Sequence, residues 1–239
     1  MIFEHASLDD CAEATGLVVV IDVIRAFTSA AVALAAGATE ILLVSTVEEA
    51  LALRQRFPAS LLMGEVGGLR PAGFDFGNSP FHLVAQDLSG KRMIQRTSAG
   101  TQGVVRSLRA EPLLASSFVC ARATVCHIQR LQPGQVTLVV TGIPPLGMPG
   151  SLVPGMGAED AACADYLKAL LLGQSPDPRP YRQRVWDSPA AHKFIDPTMS
   201  EFPLEDLDYC MHLDRYDFSM PIYRRGDLLV MEKFEDMAP

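Results

Sequence analysis

Five consecutive apolar residues, Leu17 to Ile21, run straight into Asp22, and nothing else in the chain limits its fold as sharply. A strand of Leu, three Val and Ile must be covered on both faces, as in a parallel sheet lying between helices. The Ala-rich run AFTSAAVALAAG follows and reads as a helix closed by Gly37. Asp22 and Arg25 therefore fall between the carboxyl end of a strand and the amino end of a helix, where open α/β sheets bind ligands. On these residues alone, Asp22 as a plain helix cap and Arg25 as a solvated side chain explain the unit equally well.

The alternation continues. Strands are expected at 41–44, 61–63, 92–95, 113–119 and 136–140, with helix-length stretches between them. Thr46-Val47-Glu48-Glu49 is a capping-box pattern opening one helix, and Asn78 or Ser79 caps another with Pro80 in its first turn. GVVRSLR, ATVCHIQRL and Ala158 to Leu172 read as further helices. Strands separated by helices predict an α/β fold: a three-layer α/β/α arrangement around a mostly parallel sheet. The 239 residues read as a single domain, 1–239. Its core is expected over 1–173, with 174–239 as a proline-rich crossover and C-terminal excursion packed on that core and a strand near Asp227 to Met231.

A formal net charge of −8 argues against a nucleic-acid partner. Asp22 and Arg25 interrupt the longest apolar run, so no membrane span is expected. The start MIFEHASLDD lacks the order of a signal peptide, and the expectation is a cytoplasmic protein. Five cysteines without CxxC spacing read as reduced core residues, and five histidines without ligand spacing as surface or capping groups. The sequence leaves the oligomeric state open, a homo-oligomer included.

The polar motifs recur at strand ends: Asp22 after the first strand, Glu65 after the third, Thr97 to Thr101 after the fourth, and a Gly/Pro-rich stretch after the sixth. In a parallel sheet these share one edge. Carboxylates without a His or Cys cluster suit Mg²⁺, and hydroxyls and glycine N–H groups at helix starts suit a phosphate or sulfonate. Each piece has a plainer reading. TSAGT also fits a hydroxyl-capped helix entry, Asp75 an Asx turn, and Glu159 and Asp160 a helix-dipole complement. Gly142 to Gly157 fits a mobile lid or an irregular surface loop.

DVIRAFTSA at 22–30, GE at 64–65, GFDFGNSP at 73–80, TSAGT at 97–101 and AED at 158–160, in that order, resemble the 2-phosphosulfolactate phosphatase family. DYCMHLDRYDFSMPIY near the end is similar too, so the resemblance covers nearly the whole chain. It implies Mg²⁺-dependent hydrolysis of a small anionic phosphoester, phosphosulfolactate, to sulfolactate and phosphate, a reaction of coenzyme M biosynthesis. Asp22, Arg25, Glu65 and Asp75 are the expected catalytic residues. Asn78, Ser79, Thr97, Ser98, Gly100 and Thr101 are expected around the substrate, and Asp22, Glu65, Asp75, Glu159 and Asp160 around the metal. Whether Asp22 is nucleophile or ligand stays open, although Ile24 stands where a haloacid-dehalogenase DxD motif needs its second Asp.

The chain departs from the family pattern at several points. Phe27 replaces a small residue, Val66 stands where an Arg follows GE, Ala99 replaces an Asn, and CARATVCHI lacks another Asn. These losses motivate an alternative, a catalytically impaired member that binds a small anion as a sensor or subunit.

Overall fold

The computed structural model describes residues 1–142 and 154–235. Its first half runs β1 (Ile2–Ala6), β2 (Gly16–Ile21), α1 (Ala26–Ala35), β3 (Glu40–Leu43), α2 (Val47–Arg56), β4 (Leu61–Gly64), α3 (Pro80–Val84), β5 (Arg92–Arg96) and α4 (Gly100–Arg106). There follow β6 (Ala110–Ser116), α5 (Ala121–Leu131), β7 (Gln135–Val140) and α6 (Ala158–Leu171). The chain ends with α7 (Arg179–Trp186), α8 (His192–Ile195), α9 (Leu204–Cys210), β8 (Phe218–Arg225), β9 (Leu228–Met231) and β10 (Phe234–Glu235). The sheet is mixed and mostly parallel, in the order β1-β7-β2-β6-β8-β9-β3-β5-β4, with helices on both sides and β10 paired to β8.

Local chemistry explains the strongest elements. The hydroxyl of Thr46 accepts from the Glu49 N–H while the Glu49 carboxylate accepts from the Thr46 N–H, a complete capping box. Ser79 accepts from the His82 N–H to cap α3, with Pro80 at its start. Residues 26–34 of α1 are all buried. Four alanines among them keep that helix slim enough to be packed from several sides at once.

The C-terminal part is not an excursion on a finished core. β8 and β9 enter the middle of the sheet, between β6 and β3, through three successive antiparallel pairings. Pro221 lies inside β8 opposite Leu114. It breaks the sequence signal for a central strand, because proline removes a ladder donor. β1 also escaped the sequence reading, since its exposed edge carries Glu4 and His5 among apolar residues.

Three antiparallel links reverse strand direction between the β1/β7/β2/β6 group and the β3/β5/β4 group. In a flat sheet this would put the carboxyl ends of β2 and β4 on opposite edges. The two strands lie six steps apart, about 29 Å at normal spacing. A twist of roughly 20–25° per step turns the direction back by about 120–150° over that distance. The curled sheet wraps α1, whose Phe27, Ala31 and Leu34 share one core with Val20 of β2, Met63 of β4 and Met93 of β5. Strand ends from the two groups thereby meet at one end of α1.

A second core lies between β2, β7 and helices α5 and α6, and a third under α2. Cys11, Cys120, Cys163 and Cys210 are buried, while Cys126 is exposed. His127 is no surface residue: it is buried, with Nδ1 2.7 Å from the Ser219 hydroxyl and its ring stacked on Phe234. No helix among the described residues is long and apolar enough to cross a membrane.

Candidate active site

The meeting point is a cavity of about 520 Å³. Asp22, Arg25, Glu65, Asn78 and Glu159 line it, and all five are buried. They come from the ends of β2 and β4, the GFDFGNSP loop and the start of α6.

Asp22 sits at the junction of two helix starts. Its Oδ1 accepts from the Ala26 N–H of α1 at 3.0 Å, and the Gly100 N–H of α4 also bonds this carboxylate. A Cβ at position 100 would lie 2.8 Å from both Asp22 Oδ2 and Ala26 Cβ, so only glycine lets α4 come this close. Burial raises the Asp22 carboxyl to about 6. The N–H groups oppose that rise, and the charge of Glu65 adds to it.

Glu65 ties two loops together. It accepts from Ser98 N–H, Ser98 Oγ and Gly68 N–H. Gly64 makes this placement feasible: with φ +139°, a Cβ there would stand 1.8 Å from the Arg96 carbonyl oxygen. Ser98 and Gly68 line the cavity as well.

Arg25 crosses to the C-terminal part of the chain. Its Nη1 donates to Asp206 Oδ2 at 2.7 Å and its Nη2 to the Gly68 carbonyl at 3.2 Å. The guanidinium also rests against the rings of Phe194 and Phe202, 5.0 and 5.1 Å from their centroids. Asp206 is wholly buried and takes the Ser79 hydroxyl and the Phe81 N–H on its other oxygen. Sequence reasoning missed Asp206, Phe194 and Phe202, which lie in the polar segment after 173. The signal within reach was an acidic residue in an otherwise apolar helix face, Leu204 to Cys210.

Glu159 faces the cavity with Oε2 buried and unpartnered among the described residues. Burial, and then the charge of Asp22, push its carboxyl up to about 7. Asn78 likewise has a buried Oδ1 without a partner among the described residues.

Other expected site residues have structural work instead. Asp75 lies outside the cavity, where its Oδ2 takes the Leu62 N–H and the Arg54 guanidinium and so staples its loop to β4. Asp160 is consumed by Val23 N–H, Thr141 Oγ and Gly142 N–H, joining the ends of β2 and β7. Its carboxyl is held well above the usual range by burial and by the charges of Glu159 and Asp22. Thr97 and Thr101 bond one another in a buried cap at the start of α4. Ser79 is spent on α3 and Asp206. The lid expected within Gly142 to Gly157 falls mostly on 143–153, outside the described residues.

A family model described as 2-phosphosulpholactate phosphatase matches residues 3–226. The chain belongs to that family. A probable 2-phosphosulfolactate phosphatase of Bacillus subtilis is 34% identical over 216 residues, covering 90% of each chain. Another from Synechocystis is 31% identical over 229 residues, with 88% of each chain covered. A third, from Carboxydothermus hydrogenoformans, is 39% identical over 157 residues, which is 66% of this chain and 61% of the relative.

Membership in the 2-phosphosulfolactate phosphatase family makes this a phosphoric monoester hydrolase fold with its family motifs gathered on one cavity. The departures fall unequally. Ala99 lines the cavity, whereas Val66 is 47% exposed on a tight Val66–Leu69 turn and does not.

Proposed function

We propose that this chain is a Mg²⁺-dependent phosphatase that hydrolyses 2-phosphosulfolactate to sulfolactate and phosphate. The observation carrying the reading is that buried Arg25 opens on the same cavity as the buried carboxylates Asp22 and Glu159. Family membership supports it.

The donor set fits a hard cation. Among the described residues no three acidic, His or Cys side chains stand in ready ligand geometry. Mg²⁺ does not need such a cage, because it binds through one or two carboxylates plus waters and substrate oxygens. Asp22 and Glu159 would hold it, and the unpartnered Oε2 of Glu159 is the atom left to do so. Bound there, the cation would polarise the phosphoryl group and neutralise charge on its oxygens. Arg25, fixed by Asp206, would bind and orient the phosphoryl oxygens with its remaining donors. Asn78 would hold the ester or a phosphoryl oxygen through its amide. Glu65 keeps the Gly68 and Ser98 loops in place around the group. Water supplies the oxygen, the phosphorus–ester oxygen bond breaks, and sulfolactate leaves with its hydroxyl.

Phosphate release from 2-phosphosulfolactate, with Mg²⁺ and with chelator, tests the reading. Release that depends on the cation is expected. Saturable binding with no release under either condition would favour the sensor alternative.

The acid groups also predict a pH signature. Asp22 and Glu159 have folded-state values above their ordinary ones, so both favour the protonated form in the native state. Their contribution is present below about pH 4 and is lost as pH rises through about 6–7. Metal-free protein should therefore melt several degrees lower at pH 8 than at pH 5.5, and Mg²⁺ should raise the melting temperature more at pH 8. Equal shifts at both pH values would contradict the assigned ligands.

The two departures should separate experimentally. Val66→Arg, at an exposed turn, should change kcat/KM by less than about threefold. Ala99→Asn, which adds an amide to the cavity wall, should change it by on the order of tenfold. Phosphate-release kinetics on both purified variants decide the matter. A large effect of the exposed variant alone would reverse this ranking.

A further inference from the structure

We infer that Lys193 is the specificity-determining residue that binds the sulfonate end of the substrate. The inference rests on the phosphatase reading above and assigns the far end of the same cavity.

Arg25 and Lys193 are the two cationic side chains lining the cavity among the described residues. Arg25 is deeply buried and already shares its charge with Asp206. Lys193, on α8, is exposed and has no carboxylate partner among the described residues. Its ammonium lies 5.5 Å from the centroid of the Phe202 ring that also carries Arg25. Sharing that ring puts the two cations within about 11 Å of each other. A short carbon frame with an oxyanion at each end, plus a charge-assisted hydrogen bond of about 2.8 Å on either side, covers a gap of that order.

The walls make the assignment directional. Asp22 interacts electrostatically with both Glu65 and Arg25, so those two carboxylates lie on the Arg25 side, where a phosphoryl group with its cation would fit and a bare anion is repelled. Pro189 and Ala190, close to Lys193 in the chain, are apolar and offer no side-chain donors. An oxyanion at that end meets one strong donor, and a weakly hydrated sulfonate suits such surroundings. Val66 does not supply a competing charge. Lys193 thus provides a cation that the turn at 66 lacks.

The test compares Lys193→Ala with wild type on 2-phosphosulfolactate and on 2-phospholactate, which keeps the carboxylate and lacks the sulfonate. KM for 2-phosphosulfolactate should rise about ten- to a hundredfold, with a much smaller change in kcat. KM for 2-phospholactate should change by less than about threefold, and Lys193→Arg should restore most of the loss. Equal losses on both substrates would mean that Lys193 reads a group the two share, carboxylate or phosphoryl, and no loss on either that it reads nothing; both outcomes overturn the inference. Should wild type release phosphate from neither compound, the phosphatase reading fails on its own. Calorimetric binding of sulfolactate then decides for Lys193: weaker binding to Lys193→Ala supports the inference and equal binding overturns it.

Discussion

Asp22→Asn should lower Mg²⁺-dependent phosphate release by about a thousandfold or more, roughly 4 kcal/mol of transition-state stabilisation. The substitution keeps the shape of the side chain and one acceptor oxygen for the Ala26 N–H, while the amide nitrogen cannot accept from the Gly100 N–H. It removes the negative charge that either role of Asp22, cation ligand or nucleophile, requires. Because the native carboxylate is buried at a cost, the variant should be as stable as wild type or more so in metal-free buffer at pH 8. Lost activity without lost stability separates a site residue from a structural one. Wild-type turnover in this variant would place the chemistry elsewhere.

Asp206→Ala should have the largest effect on stability. It leaves the buried guanidinium of Arg25 without its carboxylate and the Ser79 hydroxyl and Phe81 N–H without their acceptor. Breaking a buried ion pair by removing one partner costs about 3–5 kcal/mol, or on the order of 10 °C for a chain of this size. The folded fraction should also show a raised KM, because Arg25 loses the contact that aims it. Thermal melts and kinetics on Asp206→Ala and Asp206→Asn check both effects. A melt unchanged from wild type would mean that Arg25 does not depend on Asp206.

Much of this was legible in the chain. The strand–Asp–Arg–helix unit, the capping box at Thr46 and the placement of Glu65 after β4 follow from local rules that packing did not override. The convergence of Asp22 with Glu65 was expected for a simpler reason than the real one. A flat parallel sheet would share one edge, whereas here twist and curl around α1 compensate for three antiparallel pairings. No local pattern encodes that, and the two strands responsible sit near the C-terminus with a proline in one of them.

The site shows the same division. Residue type pointed to carboxylates and hydroxyls but could not separate those facing the cavity from those holding loops. Asp75 and Asp160 are aspartates like Asp22, yet they are spent on backbone N–H groups and, for Asp75, on Arg54. Thr97 and Thr101 satisfy each other. Asp206 and Lys193 come from a segment whose fold was not readable, so their proximity to Arg25 is a purely tertiary fact.

The most direct test of the central claim is a crystal structure grown with Mn²⁺ and tungstate, both located by anomalous scattering. The account predicts tungstate within hydrogen-bond reach of Arg25 and Asn78, and Mn²⁺ in contact with the carboxylates of Asp22 and Glu159. Tungstate bound elsewhere on the molecule, with the Asp22 cavity holding neither ion, would contradict it.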